Sequence, residues 1–559
     1  TYDYVVANPP FSDKAWSTGL TPDNDPFQRF SWGVPPAKQG DYAYLLHVIR
    51  SLNSTGKGAV ILPHGVLFRG NAEAVIRKAL VRSGYLKGII GLPANLFYGT
   101  GIPACILVLD KENAQARKGI FMIDAAKGFI KDGNKNRLRE QDIHRIVDTF
   151  RKQLDVPRYA RMVPFDEIAD AKNDFNLNLP RYIDTSEPED LHDIHAHLNG
   201  GIPERDIDGD RAGFPPVPGL AAYWQVLPGL RKALFCANKH PGYADLKVDM
   251  ASVKTTILEH DEFARFRNTI TELFNDWRAR NTKVLKAFDL DGHPKTLIHQ
   301  IGEDLLDTFR KAPLLDTYDI YQHLMDYWAE TMQDDAYAIA ADGWIAEPRR
   351  VLEEMKAGKK QGQLKDKGWA CDLIPKPYIV ARYFAKQQAE LAELQTELDS
   401  ITSQLTELEE EHSGEDGAFA ELDKINKGEV TKRLKEIKGD RDSAEEAKVL
   451  KQWSTLEKQQ GELKKQIKEL DATLDQLAHD QYAKLSTDEI KTLVVDDKWL
   501  TALETAVQNE LERVSQTLTG RVRELAERYA TPLPQLTKRV EELSARVDEH
   551  LKKMGVSWA

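Results

Sequence analysis

Short apolar runs alternate with amphipathic stretches along the first 150 residues. Four of these runs have the length and the β-branched content of strands, and they lie at residues 4–7, 59–62, 86–93 and 104–111. Helical spacing between them predicts helices from Tyr42 to about Asn53 and from Asn71 to Ser83. This alternation predicts a largely parallel sheet that is covered on both faces, half of a doubly wound α/β domain, with the last two runs permitting an antiparallel pair at the sheet edge.

The apolar spacing changes along the rest of the chain, which we expect to be mostly α. Residues 151–383 form a mostly helical region with several Pro and Gly breaks. Residues 384–480 contain two leucine-rich stretches with alternating spacings of three and four, which predicts an antiparallel coiled-coil hairpin. Residues 481–559 are predicted to be helices for subunit docking, and the last one carries an apolar stripe at Leu536, Val540, Leu543, Val547 and Leu551. Because the apolar spacing changes after residue 150, we assign the first domain, with the NPPF loop described below, to residues 1–150.

The composition narrows the class of protein. The chain has 559 residues, only three cysteines, and a formal net charge of -12. Residues 1–150 carry 19 Lys and Arg against 13 Asp and Glu, so a nucleic-acid surface is expected in this part and not in the acidic remainder. We find no zinc or other metal site, signal peptide or membrane-spanning run, and we expect a cytoplasmic protein.

The sequence Asn-Pro-Pro-Phe follows the first apolar run directly, at residues 8–11. Proline cannot donate to a sheet ladder, so the strand should end there in a stiff loop, at the sheet edge where α/β proteins bind ligands. The Asn8 amide and the Pro9 carbonyl supply two acceptors, Pro10 stiffens the loop, and Phe11 supplies an apolar ring face. This set suits the N6 amine of an adenine that has left the duplex, although a purely structural Pro-Pro turn explains the tetrapeptide equally well.

Several longer stretches resemble the modification subunit of type I restriction-modification systems. They are ILPHGVLFRG (61–70), GLPANLFYGTGIPACILVLDK (91–111), KGFIKDGNKNRL (127–138), NDFNLNLPRYID (173–184), DLIPKPYIVARYF (372–384) and a closing stretch at 528–555. The resemblance implies a partial Rossmann-like methyltransferase sheet and an adenine-specific DNA methyltransferase. Its methyl donor would be S-adenosyl-L-methionine, with Asn8, Pro9, Pro10 and Phe11 as the catalytic residues.

The resemblance also implies partners. These are DNA, a specificity subunit that receives the terminal helix, a second modification subunit and a restriction or translocase subunit. Candidates for contact with DNA phosphates are Arg69, Lys127, Lys131, Lys135, Arg137 and Arg139. A solvated loop with ordinary lysines explains the basic stretch about as well.

One feature of the family is missing from the sequence. Such enzymes grip the donor with a Gly-rich turn upstream of the NPPF loop, whereas Gly56–Gly58 precedes a strand and Gly99–Gly101 lies between two. We therefore expect that most of the donor site lies upstream of Thr1 and that the isolated chain is inactive. A non-catalytic assembly module and a protein-glutamine N-methyltransferase, which also uses an Asn-Pro-Pro-aromatic loop, stay open as alternatives.

Overall fold

The structure, a computed structural model, describes residues 1–186, 191–209, 220–354, 364–414, 417–440 and 443–555. The chain divides into two units. The first contains residues 1–274, 302–326 and 506–559, and the second contains residues 275–301 and 327–505.

The amino-terminal part of the first unit contains the four predicted strands and two predicted helices, followed by further strands and helices that the apolar pattern did not predict. Its strands are β1 (Tyr2–Ala7), β2 (Leu52–Pro63), β3 (Leu86–Gly91), β4 (Ala104–Asp110), β5 (Gly119–Asp124), β6 (Ile130–Asp132), β7 (Lys135–Arg137) and β8 (Ala160–Pro164). Its helices are α1 (Asp41–Ser51), α2 (Asn71–Arg82), α3 (Glu140–Lys152) and α4 (Phe165–Ala169).

Six of these strands form one mixed sheet in the order β1-β2-β4-β3-β5-β8. Only the pairs β1–β2 and β3–β5 are parallel, so the prediction of a largely parallel sheet is wrong. The expected antiparallel strand, β4, also does not lie at the edge, because it pairs with β2 on one side and β3 on the other. The crossover through α2 leaves room for one strand between β2 and β3, and the helix-free loop after β3 returns the chain into that space.

The two faces of this sheet are covered unequally. One face packs against α1 and α2 and includes Val60, Leu62 and Leu107. The other face packs against α3 at the β5 side, but Tyr4 and Val6 of the edge strand β1 are 76% and 81% exposed. The expectation of a sheet covered on both faces is therefore wrong at β1, because no described element packs over that end of the second face.

Small helices and a second sheet complete the middle of the first unit. The elements are α5 (Ile194–Asn199), β9 (Ile202–Pro203), α6 (Glu204–Asp208), α7 (Ala221–Val226), α8 (Pro228–Leu234), β10 (Phe235–Ala237), β11 (Tyr243–Leu246) and α9 (Val253–Glu259). The three strands form a sheet in the order β10-β11-β9. Three longer helices follow in the chain, and they are α10 (Asp261–Ala287), α11 (Pro294–Phe309) and α12 (Thr317–Tyr327).

The second unit is built mainly from helices. Its elements include α13 (Gln333–Asp342), the hairpin of β12 (Arg349–Glu354) and β13 (Leu364–Ala370), α14 (Lys376–Tyr383), α15 (Ala385–Glu411), α16 (Lys427–Glu436), α17 (Ala444–Tyr482) and α18 (Thr487–Lys491). Trp453 of α17 donates to Glu409 of α15, and Gln460, seven residues later, donates to Thr402, seven residues earlier. The helices α15 and α17 are thus antiparallel neighbours, while a coiled-coil geometry along their full length stays a prediction.

The chain closes with α19 (Thr501–Tyr529) and α20 (Leu533–Lys553). Helix α20 has no buried residue, and Leu536, Val540, Leu543 and Val547 of its predicted stripe are exposed. Among the described helices, none combines the length and apolar character that crossing a bilayer requires.

Candidate active site

The NPPF loop leaves the sheet where the sequence predicts. Strand β1 ends at Ala7, which pairs in parallel register with Val60 of β2, and β2 itself ends at Pro63. The segments after β1 and β2 therefore leave the same edge of the sheet. Within the loop, Asn8 and Pro10 are exposed, whereas Pro9 and Phe11 are half-buried. The Asn8 amide is accessible to a ligand, and the prolines of the loop are in the trans form.

A second aromatic ring faces Phe11. Phe97 lies in the loop between β3 and β4, and its ring centroid is 5.5 Å from that of Phe11 at an interplanar angle of 68°. The two rings come from loops at the same edge of the sheet, so a planar group held by Asn8 would meet aromatic surface from two segments. Phe97 is not among the predicted site residues, although the aromatic pair in NLFYGTG, between two predicted strands, is a pattern from which it could have been predicted.

The β6–β7 hairpin braces the loop that carries Phe97. The Lys135 ammonium donates to the carbonyl oxygens of Phe97 at 2.8 Å and Thr100 at 3.2 Å. The Asn136 side chain donates to the Ala94 carbonyl at 2.7 Å. These bonds hold the loop backbone, and Lys135, a predicted phosphate contact, makes two of them from a half-buried position.

The other proposed phosphate-binding residues differ in how far they are engaged. Lys127 donates to the Thr185 carbonyl at 2.6 Å, and Arg139 makes a two-point ion pair with Asp142 at 2.9 and 3.0 Å at the start of α3. By contrast, Lys131 and Arg137 are exposed on the hairpin. The Lys131 ammonium lies 5.8 Å from the Phe129 ring centroid, and Arg137 is 3.3 Å from Asp132 in an exposed pair of the kind that contributes little to stability.

Arg69 is the one proposed DNA contact that lies beside the NPPF loop. Its guanidinium is 2.7 Å from Asp41, whose side chain is fully buried, and 3.4 Å from Glu73. Burial raises the pKa of the Glu73 carboxyl, and the nearby Arg69 opposes that shift. This cluster could not be predicted from the sequence, because Asp41 and Arg69 are 28 residues apart.

His64 begins the segment after β2. Its backbone N–H donates to the Pro103 carbonyl at 2.9 Å, and its ring meets Phe68 edge-on at 6.2 Å. Burial lowers the pKa of the imidazole, which favours its neutral form. Its Nε2 is buried and has no hydrogen-bond partner in the part of the chain that the structure describes. His64 therefore packs against Phe68 at this end of the sheet.

The amino-terminal third of the chain is similar to known DNA methylases. Residues 1–191 match the model of the N-6 DNA Methylase family. The chain is 33% identical over 203 residues to the type I restriction enzyme MjaIX methylase subunit of Methanocaldococcus jannaschii. The aligned region covers 34% of this chain and 36% of the relative. The chain is 35% identical over 195 residues to the HindI methylase subunit of Haemophilus influenzae, covering 34% of this chain and 43% of the relative. The resemblance to type I modification subunits is thereby confirmed for the amino-terminal third.

The matches cover only part of this chain and part of each relative. A solved methyltransferase subunit of a type I restriction-modification system from Streptococcus thermophilus is 40% identical and covers 33% of this chain and 38% of its own, with a TM-score of 0.30 that carries no argument about the fold. The chain spans less than half the length of the relatives described above. The resemblances noted in residues 372–384 and 528–555 lie outside the family match and stay predictions.

Proposed function

We propose that this chain is the modification subunit of a type I restriction-modification system, which methylates N6 of adenine in DNA. The observation that carries the proposal is the NPPF loop, which lies at the carboxyl end of β1, faces Phe97, and falls within the match to the N-6 DNA Methylase family. Sequence recognition is assigned to a separate specificity subunit.

In the proposed mechanism, the chain's own residues prepare the amine for attack. The Asn8 amide oxygen and the Pro9 carbonyl oxygen accept the two N–H groups of the flipped adenine. Two acceptors outside the ring plane favour a tetrahedral nitrogen, which restores the lone pair that conjugation otherwise delocalises. Phe11 stacks on the base, and Pro10 fixes the direction of the Pro9 carbonyl.

S-adenosyl-L-methionine would supply the methyl group. The described residues do not fit the whole donor, because Gly56–Gly58 lies inside β2 and Gly99–Gly101 lies in the loop before β4, and neither forms a turn between a strand and a helix. We therefore assign no donor contact to this chain, and we propose that the donor-binding turn comes from polypeptide outside these 559 residues.

The proposed partners follow from exposed surfaces. Lys131 and Arg137 on the β6–β7 hairpin are proposed to contact DNA phosphates, whereas the internal bonds of Lys127, Lys135 and Arg139 favour structural roles for those side chains. The exposed stripe of α20 is proposed to bind the specificity subunit. A second modification subunit and a restriction or translocase subunit complete the proposed cytoplasmic complex.

A label-partition experiment separates this proposal from its two alternatives. The chain is co-expressed with its specificity subunit and donor-binding polypeptide, incubated with tritiated S-adenosylmethionine and duplex DNA, and the DNA and protein fractions are counted. We expect the label in DNA. Label in protein would support the glutamine methyltransferase, and no transfer at all would support the assembly module.

A further inference from the structure

A buried carboxylate lies directly behind the NPPF loop. Asp41, the first residue of α1, is fully buried and accepts three hydrogen bonds from three different residues. The donors are the Ser12 backbone N–H at 2.7 Å, the Gln39 side chain at 3.0 Å and the Arg69 guanidinium at 2.7 Å. Ser12 directly follows Phe11, so the first of these bonds fixes the carboxyl end of the NPPF loop.

The same contacts close the base of the long segment between the loop and α1. The Gly40 N–H donates to the Asp13 carbonyl at 3.0 Å, and the Gln39 side chain also donates to the Ser12 hydroxyl at 2.8 Å. The Tyr44 hydroxyl donates to the Asp13 carboxylate at 2.7 Å and lowers the pKa of that carboxyl. The two ends of the segment 13–40 therefore lie next to each other, and the buried Asp41 carboxylate lies where they meet.

The segment that carries Arg69 is itself held firmly. Arg77 of α2 is buried, and its guanidinium donates to the carbonyl oxygens of Arg69 at 2.8 Å, Val66 at 3.2 Å and Phe175 at 2.8 Å. Arg69 is thus a cation on a fixed backbone. Through Asp41, that backbone is connected to Ser12 by two short, charge-assisted bonds.

We propose that Asp41 is a positioning residue that holds the NPPF loop in register with the segment after β2. The inference rests on the proposed function, because it takes the NPPF loop as the base-binding loop. Losing the carboxylate would leave the Ser12 N–H without its buried acceptor, while the Arg69 guanidinium would still have Glu73 at 3.4 Å, so the loop end would move to find another partner. Small displacements of the groups that orient a reacting atom reduce turnover more than they reduce affinity.

The test compares Asp41→Asn and Asp41→Ala with a matched control. Asp110→Asn is the control, because Asp110 is also a buried carboxylate with a cationic partner, Lys87 at 3.0 Å, but it lies at the opposite end of the sheet beside Lys57. Hydrogen exchange of residues 8–16 is measured on this chain alone, and kcat and the KM for DNA are measured on the assembled enzyme.

We expect Asp41→Ala to accelerate exchange at the Ser12 amide and to lower kcat by about 10–100-fold, with the KM for DNA changed by less than about threefold. Asp41→Asn keeps an acceptor oxygen but loses the charge, so its effects should be intermediate. If the Asp41→Ala variant does not fold, the Asp41→Asn variant alone tests the inference. Asp110→Asn should leave the exchange of residues 8–16 and kcat at the parent values.

Unchanged exchange at Ser12 in both Asp41 variants would overturn the inference, whether or not the enzyme methylates. Accelerated exchange with a parental kcat would overturn the positioning role. If the parent enzyme transfers no methyl group, the proposed function fails, and the exchange measurement still decides whether Asp41 holds the loop.

Discussion

Asn8 and Phe11 lie three residues apart in one loop, but they would act on different parts of an adenine. The Asn8 amide is exposed and reaches the exocyclic amine, which changes geometry during methyl transfer. The Phe11 ring is half-buried beside Phe97 and offers a surface to the base before any bond changes. The two side chains should therefore affect different kinetic constants.

Asn8→Ala should reduce kcat by about 10²–10³-fold, the usual cost of removing one preorganised hydrogen-bonding group from a reacting centre. DNA affinity should stay within about threefold of the parent value, because Asn8 acts on the amine in the transition state. Asn8→Asp, which keeps the size and an acceptor oxygen, is the matched control and should retain more activity. Equal kcat for parent and Asn8→Ala on one duplex would contradict the role.

Phe11→Ala should weaken capture of the extruded base by roughly 1–3 kcal/mol, the range for loss of one aromatic stacking partner. The measurement is the fluorescence of 2-aminopurine at the target position, which rises when the base leaves the stack. Phe27→Ala is the control, since Phe27 is an exposed phenylalanine that lines a cavity beside Leu52, at the other end of the strands. If the 2-aminopurine signal were the same in Phe11→Ala and Phe27→Ala, the stacking role would be wrong.

Which residues the sequence could reveal depended on how local their contacts are. The NPPF loop was predictable because its prolines and its strand are adjacent in the chain. Asp41 was not, since an acidic residue at a helix start is ordinary and its acceptor role needs Ser12 and Arg69, each at least 28 residues away. The contact of Phe97 with Phe11 was not predictable either, because it depends on the loops after β1 and β3 lying next to each other in the fold.

At the scale of elements, the first four strands and the first two helices were predictable, but the later elements of the amino-terminal part and the arrangement of the strands were not. Strands β1 to β4 each contain a predicted apolar run, whereas the insertion of β4 between β2 and β3 depends on pairing between distant segments. The exposure of β1 also could not be seen in its sequence. Tyr4 and Val6 are apolar enough for a buried strand, and burial depends on what packs over them.

Helix α20 carries the prediction that belongs to this scale. Its stripe is exposed along the helix, and an isolated helix of 21 residues is marginal in water, so a partner should stabilise it. Truncation after Ala530 should leave the rest of the chain folded but abolish co-purification with the specificity subunit. The double variant Leu536→Asp, Leu543→Asp should do the same, because two carboxylates in the contact would oppose burial of the stripe.

The control for α20 changes the polar side of the same helix. Arg539→Ala with Glu542→Ala alters exposed charged residues and should leave co-purification at the parent yield. Full recovery of the specificity subunit by the truncated chain would place the docking surface elsewhere, with the α15–α17 pair as the next region to test.

At the scale of the whole molecule, basic and acidic residues are distributed unequally along the chain. The basic excess lies in the first 150 residues, together with the NPPF loop, and the acidic excess lies in the predominantly helical remainder. This distribution agrees with DNA contact through the amino-terminal part and protein contacts through the rest. The sequence revealed this division, because it depends on composition and not on long-range pairing.

The isolated chain should show no saturable binding of S-adenosylmethionine. The sequence contains no G-x-G-x-x-G turn, and Gly56–Gly58 is committed to β2. Isothermal titration calorimetry at micromolar protein should therefore give only heats of dilution. A dissociation constant in the low micromolar range would mean that the donor site lies within these 559 residues, and the loop at Gly99–Gly101 would be the first place to look.

The position of the transferred methyl group tests the central claim most directly. The assembled enzyme, with parent chain or with Asn8→Ala, is incubated with duplex DNA and S-adenosylmethionine that carries a trideuteriomethyl group, and the DNA is digested to nucleosides for mass spectrometry. We predict trideuterated N6-methyldeoxyadenosine with the parent chain and its loss with Asn8→Ala. Label on another base, or an undiminished yield of N6-methyldeoxyadenosine from the Asn8→Ala enzyme, would contradict the assignment of the NPPF loop as the site of methyl transfer.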